Sequence, residues 1–353
     1  MPDLPPEAVE SPTVAAIYAK YESRCEGPRR YLGASVIGKP CDRALWYDFR
    51  WCGREQFAGR MVRLFETGHL EEHRFVHNLR SIGCDVRQYA DDKTLEQFAV
   101  SAVGGHFKGH TDGAVLGLPE APKTWHLAEY KTHNHKSFTT LKSKGVAAHK
   151  PEHFAQMQVY MHLQGLTRAI YLAVNKNDDE LYAERVKADA ITADRYLARA
   201  RSIVTAAEPP DRISSDPSAF GCKFCNHRDR CHGNPDAPAA PVGINCRTCC
   251  HATPVVDDAR DDGPWRCDRH AKPLAEQEQA RGCGDHLLIP LLINGAAPID
   301  GSAEHVEYRT PEGHTFANGR RPGDYSSAEL AAAPVAALAS PLAVAAKASM
   351  GGT

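Results

Sequence analysis

The sequence contains no apolar run of the roughly 20 residues that a membrane-spanning helix needs. Its first residues, MPDLPPEAVESP, lack the positively charged start and the apolar core of a secretory signal. Neither sign of charge prevails, because 42 Lys and Arg residues stand against 44 Asp and Glu residues. We therefore expect a soluble, cytoplasmic protein without a membrane partner, in which any contact with nucleic acid depends on a local basic surface.

An ATP-driven motor is a further class that the sequence does not support. The P-loop pattern G-x-x-x-x-G-K-[ST] is absent, so any helicase would be a separate protein. What is present is a chain of 353 residues, 42% of them hydrophobic, which is enough for one large domain and a smaller appendage.

The hydrophobic pattern predicts a mixed sheet flanked by helices, an α/β (α+β) architecture. Predicted helices cover residues 12–23, 41–50, 60–83, 135–147, 151–165 and 190–207, the third being either continuous or broken near Gly68. Short β-like runs between residues 84 and 131 indicate strands of one sheet, and two more strands are predicted at 169–176 and 180–187.

Composition divides the chain into four parts. Residues 1–232 form the predicted main domain, and the Pro/Gly/Ala-rich residues 233–243 form a linker. Residues 244–325 hold a second Cys/His-rich unit and a small hairpin, and we expect a fragment of about residues 240–295 to bind roughly one zinc ion on its own. The Ala-rich residues 326–353 have little to fold around, so we expect a disordered tail.

Three charged residues in the predicted sheet are arranged as a metal-dependent catalytic group would be. Alternation along a strand places Glu129 and Lys131 on one face and Tyr130 on the other. Asp112 lies on the preceding predicted strand, so the two carboxylates can approach each other and need a cation to offset their repulsion. Hard oxygen ligands suit Mg²⁺ or Mn²⁺, and a neighbouring lysine can orient water or neutralise charge on a phosphate.

This arrangement resembles the PD-(D/E)XK nuclease superfamily, whose motif is an Asp on one strand and Glu-x-Lys on the next. In the RecB-like branch an upstream helix carries an acid four positions after a glycine, and here Glu72 follows Gly68 at that spacing, with Glu71 as the near alternative. That branch also has Gln-x-x-x-Tyr on a downstream helix, which Gln156 and Tyr160 match. The resemblance covers about residues 30–232.

The resemblance implies roles for these residues. Glu72, Asp112 and Glu129 would hold one or two divalent ions, with the carbonyl of Tyr130 as a further ligand, and Lys131 would assist the attacking water.

The segment directly after Lys131 is basic. It contains Lys136, Lys142, Lys144, Lys150 and several histidines. A solvated face and a phosphate-contacting face are both open, and the position beside the acidic motif favours phosphate contact.

A first cysteine group follows the pattern C-x2-C-x5-C at Cys222, Cys225 and Cys231. A zinc site completed by His227 or His232 is one interpretation. The other relies on Cys41, which precedes an aromatic-rich helix, as in the iron–sulfur subset of RecB-like nucleases that includes AddB and CRISPR-associated nucleases. That resemblance implies a [4Fe–4S] cluster held by Cys41, Cys222, Cys225 and Cys231, which would join the two ends of the nuclease domain.

A second cysteine group lies beyond the linker. Its spacing, with Cys246 and Cys249 followed by Cys267 and Cys283, resembles a zinc ribbon, although the last two lack the usual knuckle. Rival zinc ligands are Cys250, His251, His270 and His286. A role in DNA binding, in partner binding or in folding alone remains open for this unit.

The resemblance implies an iron–sulfur deoxyribonuclease, an exonuclease acting on single-stranded DNA or on duplex ends in recombination or repair. The compact architecture is similar to phage recombination nucleases, which implies a bacterial or phage-infected cell and a recombinase, a single-strand-binding protein or a helicase as partners. Two alternatives remain: a catalytically silent DNA- or partner-binding module of the same fold, and a structural metal protein whose acids form a surface network. Strand polarity, strand preference, exo- versus endonuclease action and oligomeric state do not follow from the sequence.

Overall fold

The computed structural model describes residues 11–24, 27–53, 57–91, 93–233, 243–332 and 335–350. The predicted linker, residues 233–243, therefore lies almost entirely outside the described residues. Within the described ranges, no helix combines the length and the apolar character needed to cross a membrane.

Helices account for much of the first 232 residues and recur as short pieces afterwards. The helices are α1 Pro12–Glu22, α2 Asp42–Phe49, α3 Gly59–Ser81, α4 His135–His149, α5 Pro151–Gln164, α6 Ala190–Thr205, α7 Phe220–Lys223, α8 Arg228–His232, α9 Glu276–Gln279, α10 Ser327–Ala332, α11 Val335–Leu338 and α12 Pro341–Met350. The long helix α3 runs through Gly68 without a break, which settles the alternative left open by the sequence.

The strands are short except in the centre of the main sheet. They are β1 Leu32–Gly33, β2 Asp85–Arg87, β3 Tyr89–Asp91, β4 Glu96–Gln97, β5 Ala99–Ala102, β6 Phe107–His110, β7 Ala114–Leu116, β8 His126–His133, β9 Arg168–Asn175, β10 Leu181–Lys187, β11 Ala252–Pro254, β12 Trp265–Cys267, β13 Lys272–Leu274, β14 Ala297–Gly301, β15 His305–Arg309 and β16 Thr315–Gly319. The predicted mixed α/β class is thus confirmed at the level of a chain with helices and several small sheets.

The main sheet has five strands in the order β10-β9-β8-β7-β2, and only the β8–β9 pair is parallel. It separates two apolar layers. On one face Phe75 of α3 stacks on Tyr130, with 5.3 Å between ring centroids. On the other face the buried Phe138 of α4 and Met157 of α5 belong to the larger core. Strand β8 is therefore covered on both sides.

The prediction that all runs between residues 84 and 131 join one sheet is wrong. Strands β5 and β6 pair with β1 in a separate three-stranded sheet, and β3 pairs with β4 alone. Strand β6 ends at His110, and the chain turns at Gly113, whose φ of 123° lies in the region that favours glycine, before it enters β7 of the main sheet. Short strands of similar composition carry no local signal for this change of partner.

The C-terminal Cys/His-rich unit packs directly on the first domain. Arg247 is only 2% exposed and lies over the Trp51 ring, 3.8 Å from its centroid. Its guanidinium donates to the carbonyls of Phe49, at 3.0 Å, and Arg30, at 2.8 Å. Trp265 belongs to the same buried cluster as the first domain's core. The unit is therefore joined to the main domain by a shared core.

The end of the chain also differs from the expectation of a disordered tail. Helices α10, α11 and α12 occupy most of residues 327–350, and Leu330 and Ala339 are buried in the larger core. The hydroxyl of Ser327 donates to the carbonyl of His286 at 2.8 Å, which fastens α10 to the preceding unit. The predicted hairpin is present as β15 and β16, with β14 as an unpredicted third strand.

Candidate active site

Glu129 of β8 is the most buried of the predicted site residues, with 0% of its surface exposed. Its Oε1 forms an ion pair with Nζ of Lys131, two positions along the same strand face. Its Oε2 accepts a hydrogen bond of 3.1 Å from Nε2 of Gln156, which α5 places over that face. Both oxygens of this carboxylate are thus held in place by neighbouring side chains.

The pKa of Glu129 is raised from 4.5 to about 7. Burial is the main cause, and the nearby carboxylates of Asp112 and Glu72 add to it, while Lys131 acts in the opposite direction. An additional cation at this position would favour the ionised form, since the acids repel one another in its absence.

Asp112 lies in the break between β6 and β7, not within a strand as predicted. Its Oδ2 accepts a hydrogen bond of 2.8 Å from the backbone N–H of Tyr130 on β8. The carboxylate is therefore fixed beside β8 even though the chain around it is irregular. The positive φ of Gly113 provides the turn that makes this position possible.

Glu72, and not Glu71, is the acid of α3 that interacts electrostatically with this group. The pKa of Glu72 is raised first by burial and then by Asp112, while His69, 3.5 Å from its carboxylate, acts in the opposite direction. Glu71 instead pairs with Arg74 at 3.4 Å. The sequence left both acids open, and their ion-pair partners distinguish them.

Lys131 remains a cation in these surroundings. Burial alone lowers the pKa of this amine, but attraction to Glu129 and then to Asp112 outweighs burial and raises it. Its Nζ also donates to the carbonyl of Tyr130 at 3.1 Å. A lysine held in this way is a fixed positive charge at the edge of an acidic group.

Tyr160 lies one helical turn after Gln156 and is 1% exposed. Burial raises its pKa, and the carboxylates of Glu129 and Asp112 raise it further. Its hydroxyl lies where a Cβ atom on Gly109 of β6 would be, so this strand approaches the ring only because it carries a glycine there. The residues predicted for catalysis therefore surround one region, whereas the four cysteines of the first group line a separate cavity.

The predicted basic segment forms α4 and the start of α5. Lys142 pairs with Glu180 at the surface, which matches a solvated face. Lys150, at the junction of the two helices, instead lies near a histidine group and lowers the pKa of His133. The ion pair of Lys142 supports a solvated face for that residue, while contact between the segment and phosphate stays a prediction.

A connected group of polar side chains beside Lys131 was not identified from the sequence. His133 bonds Ser137 Oγ through Nδ1 and Tyr171 OH through Nε2, each at 2.9 Å. His153 Nδ1 also bonds Tyr171 OH at 2.9 Å, and Ser137 Oγ bonds His149 Nε2 at 3.0 Å. The only signal was the number of histidines in the basic segment, because their partner Tyr171 lies on the distant strand β9.

The four cysteines of the first group line one cavity. Cys41, Cys222, Cys225 and Cys231 all contribute to its wall, although Cys41 is separated from the others by most of the domain. His227 also lines it but bonds Asp48 at 2.7 Å, so its Nε2 is already engaged. In the part of the chain that the structure describes, no three of these sulfurs lie within 4.8 Å of one another.

The four cysteines predicted to bind zinc line a second cavity. Its wall includes Cys246, Cys249, Cys267 and Cys283 together with His251, His270, Asp285 and His286, but not Cys250. Burial, followed by the neighbouring thiols, raises the pKa of Cys246 to about 11. The set whose ligand atoms lie within 4.8 Å of one another is His270, Cys283 and Asp285. Asp285 was not considered as a ligand from the sequence.

No protein-family model matches this chain, and no curated protein is similar to it in sequence. Among solved structures it is similar to SSO0001, with a TM-score of 0.39 and 13% identity over 62% of this chain and 96% of that one. It is also similar to LHK-Exo, an alkaline exonuclease from Laribacter hongkongensis, with a TM-score of 0.34 and 16% identity over 54% of this chain and 90% of that one. LHK-Exo in complex with dAMP gives a TM-score of 0.35 and 17% identity, with the same coverage. These likenesses are coarse, and the functional proposal depends on the side chains described above.

Proposed function

We propose that the protein is a divalent-metal-dependent deoxyribonuclease, an exonuclease of the RecB-like PD-(D/E)XK type acting on DNA ends. The observation that carries this proposal is the surroundings of Glu129: a fully buried carboxylate paired with Lys131, held by Gln156 and repelled by two further acids. A structural ion pair needs one acid and one base. The two additional acids have no role in such a pair and raise the pKa of Glu129.

The donor set fits a hard divalent ion. Glu72, Asp112 and Glu129 would hold Mg²⁺ or Mn²⁺, and the carbonyl of Tyr130 is a further oxygen donor. When bound, such an ion supplies Lewis acidity to a phosphate and lowers the pKa of a nearby water molecule.

The chain's own residues support hydrolysis in three ways. Gln156 fixes the orientation of the Glu129 carboxylate, and the backbone N–H of Tyr130 fixes that of Asp112. Lys131, kept protonated by its acidic neighbours, would stabilise the negative charge that develops on the phosphate during attack. Positioning and fixed charge are the main contributions that phosphate chemistry requires of a protein.

The first cysteine cavity would hold a [4Fe–4S] cluster. Four cysteine thiolates are the usual ligands of such a cluster, and four cysteines line this cavity. The resemblance to the iron–sulfur subset of RecB-like nucleases favours this cluster over a zinc ion at the same cysteines. Its role would be structural, because it would join α2 to the segment around α7 and α8.

The second cavity would hold zinc through Cys246, Cys249, Cys267 and Cys283. Four thiols and three imidazoles on one wall are donors that zinc prefers. His251, His270 and His286 line the same wall and stay rival ligands, and His270 pairs with Asp285 at 3.3 Å.

The proposed substrate is DNA, and the proposed partners are a recombinase, a single-strand-binding protein or a helicase.

The test is digestion of DNA labelled at its 5′ or its 3′ end, as single strands and as duplex, with Mg²⁺, Mn²⁺ or EDTA. We expect metal-dependent release of short products from ends by the unaltered protein and none by Asp112→Asn. DNA binding without cleavage under every metal condition would contradict the proposal and favour the silent binding module of the same fold.

A further inference from the structure

Helix α5 presents three polar side chains to the catalytic face of the main sheet. His153, Gln156 and Tyr160 are spaced by three and four residues, so they lie on one side of the helix. Gln156 contacts Glu129, which shows that this side of α5 faces the acids. His153 is one turn closer to the start of the helix and has no part in the proposed chemistry so far.

The ring of His153 is held from two directions. It stacks on Tyr171 with 5.9 Å between centroids and an angle of 28° between the planes. Its Nδ1 bonds the Tyr171 hydroxyl at 2.9 Å, and Tyr171 is the register partner of Glu129 across the parallel β8–β9 pair. His153 is therefore fixed beside the strand that carries Glu129 and Lys131.

The hydroxyl of Tyr171 belongs to a chain of hydrogen bonds that can run in two directions, and an anion at Nε2 of His153 would select the one in which Tyr171 donates to His153. If Tyr171 O–H donates to His153, its oxygen accepts from His133 Nε2; His133 Nδ1 then accepts from Ser137, whose oxygen accepts from His149. Neutral imidazoles satisfy every step of this arrangement. Nδ1 of His153 is then the acceptor, so Nε2 carries the hydrogen and is a donor.

Nε2 of His153 is open. Within the described ranges no protein group bonds it, and it is not among the buried polar atoms that lack a partner, so solvent reaches it. Burial is the main cause that lowers the His153 pKa to about 2, and the electrostatic effects of Lys131, His133, Lys150 and His149 act in the same direction. An open N–H donor near two lysines is suited to an anion.

We propose that His153 contacts a phosphate group of the DNA strand through Nε2, with Tyr171, His133, Ser137 and His149 as positioning residues that orient its ring. This inference rests on the proposed nuclease function and adds a specific phosphate ligand to it. Lys131 and Lys150 supply the positive surroundings, and His153 supplies the directed hydrogen bond that a lysine on a flexible stem does not.

The test compares two substitutions that retain different parts of the imidazole. Asn at position 153 reaches about as far as Nδ1 and can still bond Tyr171, while Gln reaches about as far as Nε2. We expect His153→Asn to lose about 10- to 100-fold in kcat/KM, the effect of one hydrogen bond to a charged group. His153→Gln should retain most of the activity, and Tyr171→Phe should fall between the two.

A second measurement identifies the phosphate. Duplexes carrying one neutral methylphosphonate at a time are cleaved by the unaltered protein and by His153→Asn. At the contacted phosphate the neutral group should slow the unaltered protein but leave His153→Asn unaffected. If the slowing caused by the neutral group and the slowing caused by His153→Asn multiply independently at every phosphate, the proposed contact is wrong.

The matched control is His126→Gln, since His126 lies outside the proposed phosphate contact, is fully buried on β8 and bonds the carbonyl of Thr124 at 2.8 Å. Its cleavage rate per folded molecule, with folding checked by thermal melting, should equal that of the unaltered protein. Normal cleavage by His153→Asn would overturn this inference and leave the nuclease proposal intact. Absence of cleavage by the unaltered protein would overturn the nuclease proposal, and with it the assignment of His153.

Discussion

The substitution Asp112→Asn distinguishes two roles of Asp112, a metal ligand and a member of a structural ion-pair network. The two roles predict opposite changes in the stability of the folded protein. The substituted side chain keeps an oxygen that can accept the Tyr130 N–H, so no hydrogen bond is lost. What disappears is the negative charge that raises the pKa values of Glu129 and Glu72. In the absence of metal, the variant should be as stable as the unaltered protein or more stable.

The structure limits the size of this gain. A rise of the Glu129 pKa from 4.5 to about 7 disfavours its ionised form by about 3 kcal/mol in the folded state. Burial is the largest cause and remains, so the gain should be on the order of 1–2 kcal/mol, or a few degrees in Tm. A raised carboxyl pKa lowers stability fully above about pH 7 and not at all below about pH 4.5. The gain should therefore be largest near pH 8 and vanish as the pH falls to about 4.5.

Metal should reverse the order of the two proteins. A ligand at about 100 times its Kd stabilises the folded state by about 2.7 kcal/mol, and only the unaltered protein keeps the full ligand set. The assay is thermal melting at pH 8 in EDTA and in excess Mn²⁺. Glu72→Gln should behave like Asp112→Asn, while Glu71→Gln is the matched control because Glu71 pairs with Arg74 instead. A destabilised Asp112→Asn protein in EDTA would refute the reasoning and favour a structural network.

Four further predictions address the catalytic lysine, the first cysteine cavity and the C-terminal unit. Lys131→Ala should abolish turnover but retain DNA affinity, because its charge acts on the transition state, and a fully active variant would exclude the proposed mechanism. Protein purified without oxygen should be brown and contain about four iron atoms per chain, whereas Cys41→Ala should lose the iron, and full iron content in that variant would exclude Cys41 as a ligand. A fragment of residues 243–325 should show no cooperative unfolding by circular dichroism, because the carbonyls of Phe49 and Arg30 that accept from Arg247 are missing from it. A fragment that folds would instead show that this unit is independent of the main domain. In the intact chain, Arg247→Met should lower the free energy of unfolding by about 3 kcal/mol, measured by urea denaturation, because these charged hydrogen bonds are lost.

The features that could be predicted from the sequence depend on short-range geometry. Alternation along β8 places Glu129 and Lys131 on one face, and helical periodicity places Gln156 and Tyr160 on one side of α5. The structure has both arrangements: Glu129 and Lys131 form an ion pair, and Gln156 donates a hydrogen bond to Glu129. The roles of these residues in catalysis stay predictions until activity is measured.

The features that were missed depend on contacts between distant segments. The change of sheet at Gly113 requires knowing that β6 pairs with β1, which lies some 75 residues earlier. Predicting the position of His153 requires knowing its contact with Tyr171 on β9. Predicting how the Cys/His-rich unit docks requires knowing that Arg247 is buried among aromatic rings, with no carboxylate bonded to it in the described ranges. Burying a charge without partners raises the free energy of the folded state, so the local sequence does not predict it. The backbone carbonyls that accept hydrogen bonds from Arg247 offset that cost.

The residues that hold the chain together differ from those proposed for chemistry. Cys41 lines the first cavity at the start of α2, and the end of the same helix supplies the Phe49 carbonyl that accepts from Arg247. The end of helix α2 is thus hydrogen-bonded to Arg247, and its start would be joined to the segment around α7 by the proposed cluster. The proposed catalytic acids lie instead on α3, on β8 and in the turn before β7. Because no side chain in the described ranges belongs to both groups, removal of the metal from either proposed cysteine site should reduce the folded fraction of the protein, while leaving the chemistry of each remaining folded molecule unchanged.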